Sequence, residues 1–278
     1  VEMTPGLLPG ADRDLVKVLQ KRLANRMYSI LLQTTVKSLK VQKNGIKAKL
    51  EGPDVGQNAR IFDKVLLAVG RRPNSAGLGL ANTSIEVDGR GFITVDAQRR
   101  TAEKHIFAIG DVAGEPMLAH KASHEGRVAA EVIAGHQVAY EPAAMPAVVF
   151  TDPEIAWVGL TEKEAADRSI AHKVVRFPWA ASGRAATLAR DDGLTKLVID
   201  PQSERIIGMG IVGSGAGEMI SEGVLAIEMG ANVTDVGLTI HPHPTLTETI
   251  MEAADLFHGT ATHFYQSKRT SHGPAKHN

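Results

Sequence analysis

Two short, fully apolar runs that end in glycine constrain the fold most strongly. Val65–Gly70 and Ile106–Gly110 are each long enough for one strand and carry no charge. Such runs predict buried strands that lead into tight turns. Apolar residues at helical spacing predict a helix from Asp12 to Arg26, with Asp12 as its N-cap. Another helix is predicted over about residues 120–134, with Gly135 as its C-terminal stop. The first half of the chain is therefore predicted to fold with two buried strands packed against amphipathic helices.

The pattern of predicted strands and helices changes after a linker rich in proline and alanine at residues 140–147. Before it, the other predicted strands are residues 29–33, 35–41 and 45–51, with a hairpin at residues 85–96. After it, strands come in runs with helices to one side, including a capping box at Thr161–Glu164 and a final helix from Thr245 to Phe257. This second pattern is typical of an α+β domain.

The chain contains no cysteine among its 278 residues. Disulfides, thiolate zinc sites and cysteine nucleophiles within the chain are therefore excluded, and any thiol chemistry needs sulfur from another segment. The formal net charge is zero, so nothing suggests a nucleic acid or an anionic membrane as a partner. No apolar run approaches the roughly 18–20 residues that a membrane span needs.

Three positions are candidates for nucleotide binding, each with a plain structural alternative. Asp111 follows the second apolar run, where a carboxylate can bind polyol hydroxyls at the carboxyl edge of a sheet or can be an ordinary turn residue. Gly70 can bring backbone close to a cofactor or simply end a strand. Glu2 has the residue type that binds ribose hydroxyls, but no glycine-rich loop precedes it in this chain, so alone it is an N-terminal glutamate.

The stretch HPHPTLTE, which runs from His241 to Glu248, allows three interpretations. Proline after each histidine predicts an extended backbone, so His241 and His243 would face the same way and form half of a metal site. Alternatively, Thr245 and Glu248 form a capping box at the start of the last helix. In the third interpretation Glu248 orients one nitrogen of His243, and the other nitrogen accepts a proton. The spacing does not decide between the last two.

Seven motifs, in this order, resemble the C-terminal portion of the dihydrolipoamide dehydrogenases, a family of flavin disulfide oxidoreductases. They are Glu2, LLAVGRRPN from Leu66, HIFAIGDV from His105, MLAHKASHEG from Met117, FTDPEIAWVGLTEKEA from Phe150, FPWAASGRA from Phe177, and HPHPTLTE. The resemblance implies a mixed α/β and α+β fold. Its expected parts are a truncated Rossmann-like NAD-binding domain (1–74), a central segment of the FAD domain (75–145), a dimerisation domain (146–263) and a flexible tail (264–278).

The same resemblance implies a role for each candidate. His243 would be the proton acceptor for dihydrolipoamide, with Glu248 as its partner, and would reach across a two-fold dimer interface. Asp111 would bind the ribityl chain of FAD. The other implied cofactor residues are Glu2, Val36, Ala68, Val69, Gly70 and Arg71 for NAD, and Met117, Leu118, Ala119 and His120 for the flavin. Pro242 stands where the family usually has a small residue, a departure that would stiffen the approach to His243.

The resemblance also implies a function, namely oxidation of protein-bound dihydrolipoamide with electrons passing through FAD to NAD⁺. The expected protein is a cytoplasmic bacterial homodimer that serves the lipoyl domains and acyltransferase core of 2-oxo acid dehydrogenase complexes. The family's first FAD motif, redox cysteines and NAD glycine loop lie upstream of the position of Glu2. We therefore expect a fragment that is inactive alone, in preference to a split gene. The alternatives are a fragment of a glutathione-type disulfide reductase and a non-catalytic dimerisation or scaffold fragment.

Overall fold

The computed structural model describes residues 1–56 and 58–265. The expected flexible tail, residues 264–278, lies outside this range from residue 266 onward. The chain divides into two compact units, one of Val1–Lys64 with the chain from Ala143 onward, and one of Val65–Pro142. Within the described ranges, none of the helices has both the length and the apolarity to cross a membrane. The mixture of helices and sheets agrees with the predicted α/β and α+β class.

The first unit begins with one helix and a three-stranded antiparallel sheet. Helix α1 spans Arg13–Ala24, and the strands, in sheet order, are β1 (Thr35–Gln42), β2 (Gly45–Glu51) and β3 (Ala59–Phe62). The predictions of α1, β1 and β2 are confirmed. The strand predicted at residues 29–33 is wrong. Its backbone hydrogen bonds in the described chain go to the N-terminal residues, with the N–H of Glu2 donating to the carbonyl of Leu31 at 2.8 Å, and it is part of no regular sheet.

The second unit, Val65–Pro142, is built from turns around one long helix. Helix α2 spans Ala119–Ile133, and Gly135 follows it in a left-handed conformation (φ 91°), as the sequence predicts. The predicted hairpin is present as a single bridge between Val87 and Ile93. The second apolar run ends in a one-turn 3-10 helix at Gly110–Ala113. The unit therefore places Asp111 on a turn that directly precedes α2 in the chain.

The buried strand predicted at Val65–Gly70 is wrong. Across the described chain this segment pairs with no strand, and Leu66 and Val69 are 90% and 91% exposed. A buried parallel strand is stabilised by strands on its edges and by helices on its faces. The described residues place no such neighbours here, so the apolar sequence alone does not produce a sheet.

The chain from Ala143 onward contains a five-stranded antiparallel sheet. Its strands are β4 (Ala147–Val149), β5 (Glu154–Gly159), β6 (Lys173–Pro178), β7 (Leu194–Ile199) and β8 (Ile206–Gly213), in the order β4-β5-β8-β7-β6. The helices are α3 (Glu162–Asp167), α4 (Gly183–Thr187), α5 (Ala216–Glu228), α6 (Val233–Leu238) and α7 (Glu248–His258). The capping box predicted at Thr161 is made in full with Glu164. This part of the chain has the predicted α+β pattern.

Helix α7 is fixed to the sheet by the main core. It packs against β6 and β7, and its Ile250, Ala253 and Ala254 lie in one buried cluster with Phe177 and Trp179. Ile250 is completely buried, which contributes about 1.5–3 kcal/mol relative to an exposed side chain. The first turn of α7, where HPHPTLTE ends, is therefore held in one position.

A buried ion cluster joins α1 to the sheet. Lys196 of β7 is 1% exposed, and its Nζ lies 2.7 Å from Asp12, 2.9 Å from Asp14 and 3.1 Å from Glu162. Arg176 also pairs with Asp14 and Glu162. The three carboxylates lie close enough together to hold a metal ion, and the ammonium of Lys196 supplies positive charge at that place. The prediction that Asp12 caps α1 is wrong at the side chain, because its carboxylate accepts the N–H of Glu162 instead.

Candidate active site

The stretch HPHPTLTE forms the loop that leads into α7. Nδ1 of His243 lies 2.9 Å from Oε1 of Glu248, and the N–H of Thr245 donates to Oε2 of the same carboxylate at 2.8 Å. One half of the predicted capping box, the bond from the Thr245 N–H to Glu248, is therefore made by the same side chain that orients His243. The helix itself begins at Glu248, later than predicted, because the hydroxyl of Thr245 donates to the carbonyl of Pro242 instead of capping.

The charge on Glu248 is stabilised by these two partners. Burial alone would raise the pKa of its carboxyl, but the hydrogen bonds from Thr245 and His243 outweigh this effect and hold the pKa below its usual value. An ionised carboxylate only accepts hydrogen bonds, so the bonded Nδ1 of His243 carries a hydrogen. Nε2 of a neutral imidazole is then the acceptor, and the His243 side chain is 73% exposed. The pair presents an oriented proton acceptor to the surface.

His241 has a different environment from His243. Its side chain is 4% exposed, its Nδ1 lies 2.8 Å from the carbonyl of Thr239, and its Nε2 lies 2.8 Å from Oε1 of Glu222 on α5. Both ring nitrogens are therefore engaged, and the two histidines do not offer ligands to one ion. The metal interpretation is wrong, because the local extended backbone did not put the two rings on one face. His241 anchors the loop.

A second histidine–carboxylate pair lines the same cavity as His243 and Glu248. The cavity holds about 90 Å³ and includes Glu252 and His263. Oε1 of Glu252 lies 2.6 Å from Nδ1 of His263, and its Oε2 accepts two backbone N–H groups, those of Thr262 and His263. This pair is not among the residues predicted from the sequence. The spacing of four residues between Glu248 and Glu252 on one helix was the available signal.

Two of the predicted cofactor residues lie in the first unit. Glu2 is half-buried, and its Oε1 accepts the N–H of Thr4 at 2.7 Å, which holds the pKa of Glu2 below its usual value. Its carboxylate is therefore an ionised acceptor, the type of group that binds ribose hydroxyls. Val36 lies in β1, opposite Leu50 of β2, and is partly exposed.

The remaining predicted cofactor residues lie in the second unit. Ala68–Arg71 are exposed, and Gly70 has φ 109° with open space around it, so backbone there is accessible to a ligand. Nη1 of Arg71 pairs with Oδ2 of Asp111 at 3.2 Å, a contact that the sequence did not predict. Residues 117–120 form the entry to α2: Met117 and Leu118 are half-buried, and Ala119 and His120 are exposed. The Asp111 side chain is 42% exposed on a half-buried turn, and a carboxylate has acceptor capacity beyond one ion pair, so it suits a polyol chain.

Two models of one protein family match most of the chain. The model described as pyridine nucleotide-disulphide oxidoreductase matches residues 1–126, and that family's dimerisation domain matches residues 145–254. The chain belongs to the pyridine nucleotide-disulphide oxidoreductase family. The chain is similar to the dihydrolipoyl dehydrogenase of Vibrio cholerae, with 48% identity over 96% of the chain and 56% of the relative. It therefore spans a little over half the length of the curated relatives that it matches.

Solved structures agree with this assignment. The chain is similar to LpdA from Mycobacterium tuberculosis, with a TM-score of 0.84 and 27% identity over 92% of the chain and 55% of LpdA. It is also similar to the HOCl-induced flavoprotein disulfide reductase RclA from Escherichia coli, with a TM-score of 0.83 and 25% identity over 91% of the chain and 58% of RclA. The resemblance stated from the sequence motifs is confirmed.

Proposed function

We propose that this chain provides the proton-accepting part of a dihydrolipoyl dehydrogenase. The observation that carries the proposal is the hydrogen bond between His243 and Glu248 beside a cavity, in a chain similar to enzymes of that name. An imidazole oriented in this way can take a proton from a thiol. The resulting thiolate is the competent nucleophile in disulfide exchange.

In the proposed reaction, Nε2 of His243 accepts the proton of one thiol of dihydrolipoamide. The thiolate attacks one sulfur of a disulfide, so that a mixed disulfide forms and the other sulfur leaves as a thiolate. The second thiol of the substrate then attacks the mixed disulfide, so that cyclic lipoamide leaves and the original disulfide has become a dithiol. Glu248 stabilises the imidazolium, because its carboxylate stays ionised between the N–H of Thr245 and the ring. The chain has no cysteine, so the disulfide must come from another segment of the complete enzyme. On this proposal the chain alone is inactive.

The proposed cofactors are FAD and NAD, and bound FAD would pass the electron pair from the dithiol to NAD⁺. Asp111 would hold the ribityl hydroxyls, and the backbone of Met117, Leu118, Ala119 and His120 would hold the flavin. In the first unit, Glu2 would hold the adenine ribose of NAD and Val36 would contact the same cofactor. In the second unit, the exposed residues Ala68, Val69, Gly70 and Arg71 are proposed NAD contacts in their own right. The ionised carboxylate of Glu2, the partly exposed carboxylate of Asp111 and the open backbone at Gly70 support this assignment.

The proposed partners follow from the same likeness. A match to the family's dimerisation domain over residues 145–254 supports a homodimer, in which His243 of one protomer serves the site of its partner. Lipoyl domains and the acyltransferase core of a 2-oxo acid dehydrogenase complex would supply the substrate, in the bacterial cytoplasm. The exposure of His243 supports this arrangement, because an oriented base at the surface can serve a site completed by another chain.

A second candidate function is that of a different flavoprotein disulfide reductase, because the structural likeness to RclA is nearly as high as that to LpdA. A substrate panel on the complete enzyme separates the two. Oxidation of dihydrolipoamide by NAD⁺, well above any reduction of glutathione disulfide by NADPH, supports the proposed function. The reverse preference would replace it with the second candidate.

A further inference from the structure

The residue before Asp111 is held by α2 through both of its backbone polar groups. The N–H of Gly110 donates to Oε2 of Glu125 at 2.7 Å, and its carbonyl accepts from Nζ of Lys121 at 3.2 Å. Gly110 has φ 71°, and a Cβ placed there would lie 3.0 Å from the Cβ of Ala122. Glycine is the residue that tolerates both this conformation and this close approach. The turn and the helix are therefore joined at one backbone position.

The side chains that make this joint form a buried ion triad. Glu125 is completely buried, and Lys121 and Arg99 are nearly so. Nζ of Lys121 and Nη1 of Arg99 each lie 2.9 Å from Oε1 of Glu125, which leaves Oε2 for the N–H of Gly110. Arg99 is itself held in place, because its guanidinium stacks over the ring of Tyr140 at 4.8 Å. The two cations thus share the single carboxylate of Glu125, and among the described residues the buried Nε of Arg99 has no hydrogen-bond partner.

A buried ion group of this kind is poorly explained by overall stability. Desolvation of the charges offsets much of their attraction, and apolar side chains of similar volume often serve as well. What the triad adds is geometry, since it directs two charged side chains to the two backbone polar groups of Gly110. The carbonyl that Lys121 holds belongs to the peptide bond with Asp111. The orientation of Asp111 is therefore set by α2.

We propose that Glu125 and Lys121 are positioning residues that fix the carboxylate of Asp111 for FAD. The inference rests on the proposed function, in which Asp111 and residues 117–120 are the FAD contacts. Lys121 directly follows that second segment in the chain, so the triad locks both proposed contact segments to one helix. Without it, each segment would have to be ordered separately when FAD binds, which weakens binding.

The test uses the complete enzyme stripped of FAD, with the variants Lys121→Met, Asp111→Asn and, as a matched control, Lys104→Met. Lys104 is an exposed lysine of the same unit. FAD affinity is measured from the change in flavin fluorescence, and amide hydrogen exchange is measured by mass spectrometry. Lys121→Met is expected to weaken FAD binding about tenfold, the effect of losing one hydrogen bond from a charged group. Its exchange is expected to rise only around residues 106–113.

Several results would overturn the inference. FAD affinity of Lys121→Met equal to that of Lys104→Met would do so, and so would faster exchange across the whole chain, which marks a purely structural role. If Lys121→Met does not fold, Glu125→Gln takes its place, since glutamine keeps an acceptor for the N–H of Gly110 but loses the charge that holds Lys121. Weaker FAD binding than in Lys104→Met is again expected, and equal affinity would overturn the inference. Undiminished FAD affinity in Asp111→Asn would instead reject the proposed role of Asp111. The exchange of residues 106–113 in Lys121→Met then shows whether the joint exists independently of FAD.

Discussion

His243 and Glu248 are joined by a 2.9 Å hydrogen bond, and the second oxygen of the same carboxylate holds the backbone of Thr245 at 2.8 Å. One side chain therefore both orients the base and closes the loop that carries it. Glu248 lies at the first position of α7. Ile250 in the same turn packs into the core beneath the sheet. The orientation of His243 therefore depends on the packing of α7 against the core.

Replacing Glu248 with glutamine in the complete enzyme should lower dihydrolipoamide turnover by about 10²-fold. Glutamine retains an acceptor for the N–H of Thr245, so the loop persists, but it no longer stabilises a protonated His243. The measurement is kcat with dihydrolipoamide and NAD⁺ across the neutral pH range. Glu204→Gln is the matched control, because Glu204 is a partly exposed glutamate 3.8 Å from His258. Equal activity of the two variants would contradict the orienting role.

Replacing Lys196 with methionine should lower the free energy of unfolding by about 3–5 kcal/mol. The change leaves Asp12, Asp14 and Glu162 close together without the buried ammonium that separates their charges. Urea denaturation provides the measurement. Lys163→Met is the control, since Lys163 forms an exposed pair with Asp167 and its loss should cost less than about 1 kcal/mol. Similar losses in both variants would show that the cluster is not stabilising.

Asp14 should make the stability of the protein depend on acid pH. Its pKa in the folded protein lies below the usual value, because Lys196 and Arg176 outweigh the opposing effect of burial. A lowered pKa contributes stability that is complete above the unfolded value of about 3.9 and is lost as pH falls through the folded value. Asp14→Asn should therefore be less stable than the unaltered protein at pH 6, and the difference should shrink below about pH 4. A difference that stays constant with pH would contradict this account.

The sequence predicted the elements whose local signals agree with their packing. The capping box at Thr161 and the stop at Gly135 both depend on a few neighbouring residues, and both are confirmed. The apolar run Val65–Gly70 has an equally clear local signal, but a buried strand depends on neighbours that are remote in sequence. Its placement could not be read from the run itself.

The site shows the same division between local and remote information. The contact between His243 and Glu248 spans five residues, so it was among the three interpretations of HPHPTLTE. The burial of His241 depends on Glu222 of α5, and the placement of Gly110 depends on Glu125, which lies fifteen residues further along. The residue spacing within a single helix or strand does not predict such contacts, because each joins two different segments of the chain. The sequence motif identified the base but not the structure that supports it.

Glu252 should matter for local structure more than its partner His263 does. The Glu252 side chain is 3% exposed and accepts the backbone N–H groups of Thr262 and His263, whereas the His263 side chain is 55% exposed. Glu252→Ala should lower the free energy of unfolding by about 1–3 kcal/mol, because it leaves these donors unpaired. His263→Ala should lower it by less than about 1 kcal/mol. Thermal unfolding measures both, and the reverse order would show that the ring, not the backbone bonds, holds this segment.

The central claim is that His243 is the base for the thiol substrate, and the most direct test compares two activities of the complete enzyme carrying His243→Gln. Turnover of dihydrolipoamide should fall by about 10²–10⁴-fold, while reduction of a dye by NADH, which needs no thiol proton acceptor, should fall far less. His172→Gln is the matched control, a half-buried histidine whose Nδ1 contacts the backbone carbonyl of Ile170 at 2.8 Å. Equal loss of both activities in His243→Gln, or full retention of dihydrolipoamide turnover, would contradict the claim.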